Sequence, residues 1–276
     1  MSRILLEISA VAYLVAAAGY ALHLARPHHR AAGIGVWALA AGFLVHTAAI
    51  AHRFAVAGTP VITFDQGLSF FGWLVVAIYL IVRRADRQTV IGAVVCPLAF
   101  LLTLGAVGMF QDGAAAVVPQ EFRSPWLPVH VTLAFLGNAV FALAFAISLV
   151  YLVQEHLLKG RRSGWMIRRL PSLEQLDRLN FQCLAWGFPL LTLGIVTGAV
   201  WAENATGRFW SWDPREILSA LTWLIYAGLL QFRMTGGLRG RRAATLTILG
   251  FGLVVLSFVS INVLQLPGRH GAGTGS

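Results

Sequence analysis

Between Trp201 and Glu216 the chain reads WAENATGRFWSWDPRE, with three tryptophans, a phenylalanine and five charged side chains in sixteen residues. Trp201, Phe209, Trp210 and Trp212 fall within twelve positions, and Trp126 stands in an earlier connection. Flat aromatic walls at that density suit a large planar apolar ligand, and Arg208 and Arg215 could pair with carboxylates on it. A tryptophan belt at a membrane interface is the plain structural alternative, since indole joins an apolar body to one polar N–H. Part of the segment has a local role. Asp213 suits a helix N-cap, Pro214 the first helical position, and Glu216 the third position of a capping box.

Composition says what must position these residues. Of 276 residues 58% are hydrophobic and only 12% charged, against roughly 25% charged in a soluble domain. A crossing takes about 20 apolar residues, which leaves room for one transmembrane domain, 1–276, and little else. Hydropathy marks eight spans: Ile4–Leu24, Ala31–His52, Gly67–Val82, Val90–Met109, Val129–Leu157, Phe181–Ala202, Ile217–Phe232 and Ala244–Gln265. The expected fold is an all-α polytopic transmembrane helix bundle, with 201–216 between spans 6 and 7.

Fifteen of the 21 Lys and Arg residues fall in the connections after spans 1, 3, 5 and 7. The positive-inside rule puts those connections in the cytoplasm, and both termini and the tryptophan segment outside. The basic clusters between apolar runs account for the net charge of +10 without nucleic acid. Lys159–Arg178, with Trp165, Met166 and Ile167 among arginines, suits contact with anionic membrane lipid. Glu7 lies within the first apolar run, and no small-residue cleavage site follows, so that run reads as a retained span. Cys96 and Cys183 form no CxxC pair, so thiol exchange and covalent haem attachment to this chain are unsupported.

This topology sorts the eight histidines. His23, His28, His29 and His156 end spans on the cytoplasmic side. His46 and His52 lie toward the outer part of span 2, His130 at the start of span 5 and His270 beyond span 8. His130 follows Ser124-Pro-Trp-Leu-Pro-Val, a rigid approach that puts the ring in the first turn of a helix, where the dipole favours the neutral form. Neutral imidazole is the form that ligates a metal. Two external histidines flanking a tryptophan platform could supply both axial ligands of a haem iron. His46 is a further candidate, as an ionisable residue at membrane depth.

The pattern Trp201-Ala-x4-Gly207-x2-Trp210-Ser-Trp212-Asp213-Pro214-Arg-Glu216, followed by Leu221-Thr-Trp223-Leu-Ile-Tyr226, resembles the WWD signature of the haem-handling family of CcsA (ResC), CcmC and their relatives, most closely CcsA. The resemblance implies that haem b is bound transiently at the external membrane surface on the WWD segment. His130 and His270 would be the axial ligands, and the cargo would be presented to the CxxCH motif of an apocytochrome c. It further implies a CcsB/ResB-like membrane partner and a bacterial cytoplasmic membrane location. The chain would serve a haem lyase-like machinery with no catalytic nucleophile of its own, because thioethers would form from the substrate's cysteines and the haem vinyl groups.

One position departs from the pattern. Where the family commonly carries a histidine near the inner end of span 7, this chain has Gln231, which leaves export of haem through the chain open; His156 or His23 could substitute. Four other readings compete: a HemX- or YpjD-like member of the superfamily, a small-molecule transporter hinted at by Pro97 and Pro189 within spans, a dihaem cytochrome b-type electron carrier for which only His46 stands well inside a span, and a zinc site from His46, His52 and His130 that lacks the usual spacing.

Overall fold

The computed structural model describes residues 1–25, 29–57, 63–83, 89–110, 124–160 and 170–262. They form eight α-helices: α1 (Ser2–Ala25), α2 (His29–Ala57), α3 (Phe64–Val82), α4 (Thr89–Gly108), α5 (Trp126–Lys159), α6 (Leu173–Thr206), α7 (Pro214–Met234) and α8 (Arg241–Asn262). All eight are long and apolar enough to cross a bilayer. The chain is a multi-pass membrane protein with the helical architecture its hydropathy predicts. In hydrocarbon every peptide group must find an internal partner, and the helix supplies one for each.

All eight helices start somewhat before their hydropathy spans, and two of these extensions bear on the site and the basic connection. Ser172 has extended backbone, and its hydroxyl accepts the Gln175 N–H, so α6 begins at Leu173, eight residues before the apolar run. The last part of the basic connection, 173–178, is thus helix, whereas 161–169, with Trp165, Met166 and Ile167, lie outside the described residues. Helix α5 begins at Trp126, three residues before Val129, directly after Pro125 at the cap. At 34 residues each, α5 and α6 are about 51 Å long, well beyond the ~30 Å of bilayer hydrocarbon.

Helix α5 is the axis of the bundle. It packs against α6 and α8 on one side and against α3 and α4 on the other, while α1 packs on α2 and α4. The core at its middle is aromatic: the Phe141 and Tyr226 rings stack with centroids 3.7 Å apart and planes 3° apart. At the end of the bundle away from residues 201–216, a buried polar network joins four helices. Arg233 of α7, 7% exposed, pairs with Asp177 at 3.0 Å and donates to the Asn180 side-chain oxygen at 3.1 Å. Asn180 in turn donates to Ser148 of α5 at 2.8 Å and Thr247 of α8 at 3.4 Å.

Candidate functional site

His130 lies in the second turn of α5, not the first, because the helix begins at Trp126. Helix-dipole effects fade within one turn, so a different feature defines the ring. Its Nδ1 lies 2.7 Å from the backbone carbonyl oxygen of Gly194 on α6. A carbonyl can only accept, so Nδ1 carries the proton and the neutral ring keeps its lone pair on Nε2. Metal-ligating histidines are commonly oriented this way, by donation of the second ring N–H to a carbonyl.

Trp201, on the same helix as Gly194, lies parallel to the His130 imidazole, with 3° between planes and 6.4 Å between centroids. Trp126 stands four residues before His130 on α5, on the same side of the helix, and is exposed. Helix α6 then ends at Gly207 in the left-handed conformation (φ 72°), whose N–H bonds the Glu203 carbonyl at 2.7 Å. This C-cap turns the chain into the segment that carries Arg208, Phe209, Trp210 and Trp212, all exposed.

Trp210 and Trp212 meet edge to face, 5.9 Å apart at 88°. Trp212 has φ of 58°, the one positive φ at a non-glycine residue among those described. A bulky residue there is strained. Helix α7 starts at Pro214 as the sequence suggests, with the Glu216 and Ile217 N–H groups on the Asp213 carbonyl. The Glu216 carboxylate also reaches back beyond Asp213. It accepts both the N–H and the hydroxyl of Ser211, at 2.7 and 2.9 Å.

The structure brings His130 together with Trp201, and Trp210 with Trp212. His270 lies outside the described residues, and so does the Arg215 side chain. His46 is fully buried among α1, α2 and α3, with Nδ1 hydrogen-bonded to the Tyr13 hydroxyl at 3.2 Å and Nε2 to the Ser69 hydroxyl at 2.9 Å. Both nitrogens are engaged, which is the arrangement of a packing residue. Gln231 faces outward from α7. A cleft of about 340 Å³ lies elsewhere, between α3, α5 and α6, lined by Ile78, Leu143, Gln182, Cys183 and Trp186; it is mostly apolar and no histidine lines it.

Sequence reasoning passed over Gly194 and Gly198. The signal was present as Gly194-x3-Gly198-x2-Trp201, which puts two residues without side chains and a tryptophan on one face of α6.

Residues 61–267 match the family model described as Cytochrome C assembly protein. The chain is 34% identical to the Cytochrome c biogenesis protein CcsA of Guillardia theta, over 78% of this chain and 76% of the relative. It is 31% identical to the protein of the same name from Microcystis aeruginosa, over 78% and 79% of the two chains. Among solved structures, the Cytochrome c Heme Lyase CcmF superposes with a TM-score of 0.65 at 17% identity, a likeness of fold. That match covers 96% of this chain, which spans about half (49%) of the CcmF chain.

Proposed function

This chain belongs to the cytochrome c assembly protein family, of the CcsA type, and on that premise we propose that it holds haem b as cargo at the external membrane surface and presents it to apocytochrome c. The observation that carries the reading is the His130 imidazole. Its Nδ1–H is committed to the Gly194 carbonyl, its face is parallel to Trp201, and Nε2 is left as the nitrogen able to bind iron. The residues present fit such a cargo, because a flat apolar macrocycle needs aromatic walls and one or two axial nitrogens.

In this reading His130 and His270 are the axial ligands, and Trp126, Trp201, Trp210 and Trp212 are the walls. Arg208 and Arg215 receive the propionates, and Asp213 starts the helix that carries the outer wall. Each incoming CxxCH thiol adds its S–H across a vinyl C=C of the cargo to give a thioether. The chain supplies ligation and orientation rather than a nucleophile. Its positive-inside pattern orients the platform away from the cytoplasm of a bacterial cytoplasmic membrane. A CcsB/ResB-like membrane protein is the proposed partner.

Purification in mild detergent from haem-replete cells, followed by visible absorption and pyridine haemochrome quantitation, tests the reading. A near-stoichiometric b-type signal that His130→Ala and His270→Ala each shift or abolish is expected. Unchanged spectra in both variants refute the assignment.

A further inference from the structure

We infer that Gly194 and Gly198 are positioning residues for His130: the first supplies the carbonyl that fixes its tautomer, and the second supplies the space its ring occupies. The inference rests on His130 being the haem ligand. The two glycines and Trp201 are spaced four and three residues apart, so they share one face of α6 turned toward α5. At Gly194 the backbone runs against α5 itself, since a Cβ there would lie 3.0 Å from the Ala134 Cα. That close approach brings the Gly194 carbonyl within 2.7 Å of Nδ1.

One turn further on, a Cβ on Gly198 would lie 2.6 Å from Cε1 and 2.7 Å from Nδ1 of His130, and 3.4 Å from Nε2. Carbon atoms do not approach that closely, so any side chain at 198 drives the ring out. The slot is thus closed on three sides by α6: a carbonyl at the Nδ1 edge, bare backbone beneath the Nδ1–Cε1 edge, and the Trp201 indole in the outer direction. The Thr197 hydroxyl also donates to the Gly194 carbonyl, at 3.1 Å, while bonding Leu193 O at 2.7 Å. The single hydroxyl proton is shared between the two carbonyls, with the Leu193 oxygen the nearer.

A ring so fixed can approach iron through Nε2 alone. Donation from Nδ1 to a carbonyl also raises the basicity of the ligating nitrogen, so loss of the slot must change the haem electronically as well as weaken its binding.

The test compares the wild-type protein with His130→Ala, Gly198→Ala and the double variant, each loaded with haem and followed by absorption spectrum, reduction potential and haem content. Circular dichroism checks the helical fold. Gly198→Ala is expected to lose most of the haem, or to keep it with a shifted spectrum and potential. Free imidazole in the buffer is expected to restore the spectrum of His130→Ala, whose slot is intact, and not that of the double variant. Nitrogen-15 NMR of the haem-free wild type, with His130 assigned by its loss in His130→Ala, should report the Nδ1–H tautomer; this holds even if Gly198→Ala fails to fold.

If His130→Ala loses its haem while Gly198→Ala matches the wild type in spectrum and potential, the positioning role is overturned and the ligand reading survives. An Nε2–H tautomer overturns it as well. If His130→Ala keeps the wild-type spectrum, the ligand reading itself fails.

Discussion

Glu216 grips Ser211 at two points, one carboxylate oxygen on its N–H at 2.7 Å and the other on its hydroxyl at 2.9 Å. The grip spans Trp212, whose φ of 58° places a large side chain in the left-handed region. Such a conformation costs on the order of 1–3 kcal/mol and persists only where surrounding contacts enforce it. The bonds to Glu216 provide that enforcement, and they leave the indole 75% exposed.

Trp212→Gly is therefore expected to relieve about 1 kcal/mol or more of backbone strain and raise the melting temperature in detergent, while haem retention falls. Glu216→Gln is expected to weaken both. Thermal scanning of the haem-free proteins, with haem titration alongside, separates the two effects; a Trp212→Gly protein that melts lower than wild type would show that the strain is not real.

Trp201→Ala removes the ring parallel to His130. Aromatic pairs contribute about 0.5–1.5 kcal/mol beyond their buried area, so haem affinity is expected to drop roughly two- to tenfold, with Trp201→Phe recovering part of the loss. Equilibrium haem titration followed at the Soret band measures this, and equal affinity in all three proteins would count against any role for the stack.

His46→Leu removes both hydrogen bonds of a fully buried ring and leaves the Tyr13 and Ser69 hydroxyls behind. An unsatisfied buried polar group costs about 1–3 kcal/mol, so a lower melting temperature is expected with an unchanged haem-to-protein ratio. Loss of haem at full stability would instead make His46 a ligand.

Arg233→Met strips the counter-charge from Asp177 and a donor from Asn180. Removing one partner from a buried pair typically costs about 3–5 kcal/mol and replacing both is far milder; because Asp177 is half-buried and keeps the Gly240 N–H, a smaller loss is expected here. The single variant should melt below the wild type, and Arg233→Met with Asp177→Asn should recover much of the difference. Comparable losses in the two would mean that Asp177 does not depend on Arg233.

Hydropathy made the eight helices legible, because in a membrane apolar length decides the element. It failed where polar residues continue a helix: Asp177 and Asn180 look like connection, yet they are the first turns of α6 and face Arg233. The aromatic segment and His130 stood out by residue type. The slot around His130 did not, since its parts are a backbone oxygen and a missing side chain, and neither announces itself in a one-letter code. Glu216 likewise has the right spacing for Asp213, and only the turn at Trp212 brings Ser211 within its reach.

The aromatic walls ride on different supports. His130 and Trp201 belong to α5 and α6, whereas Ser211 is tied to Glu216, so the Trp210–Trp212 pair travels with α7. Helix α7 is fastened to the bundle at its far end by Arg233 and along its length by the Tyr226 ring on Phe141 and the Trp223 N–H on the Thr192 hydroxyl at 2.9 Å. The spacing between the two walls is thus set by how α7 seats on α5 and α6, and not by the hydrogen bonds of the slot itself.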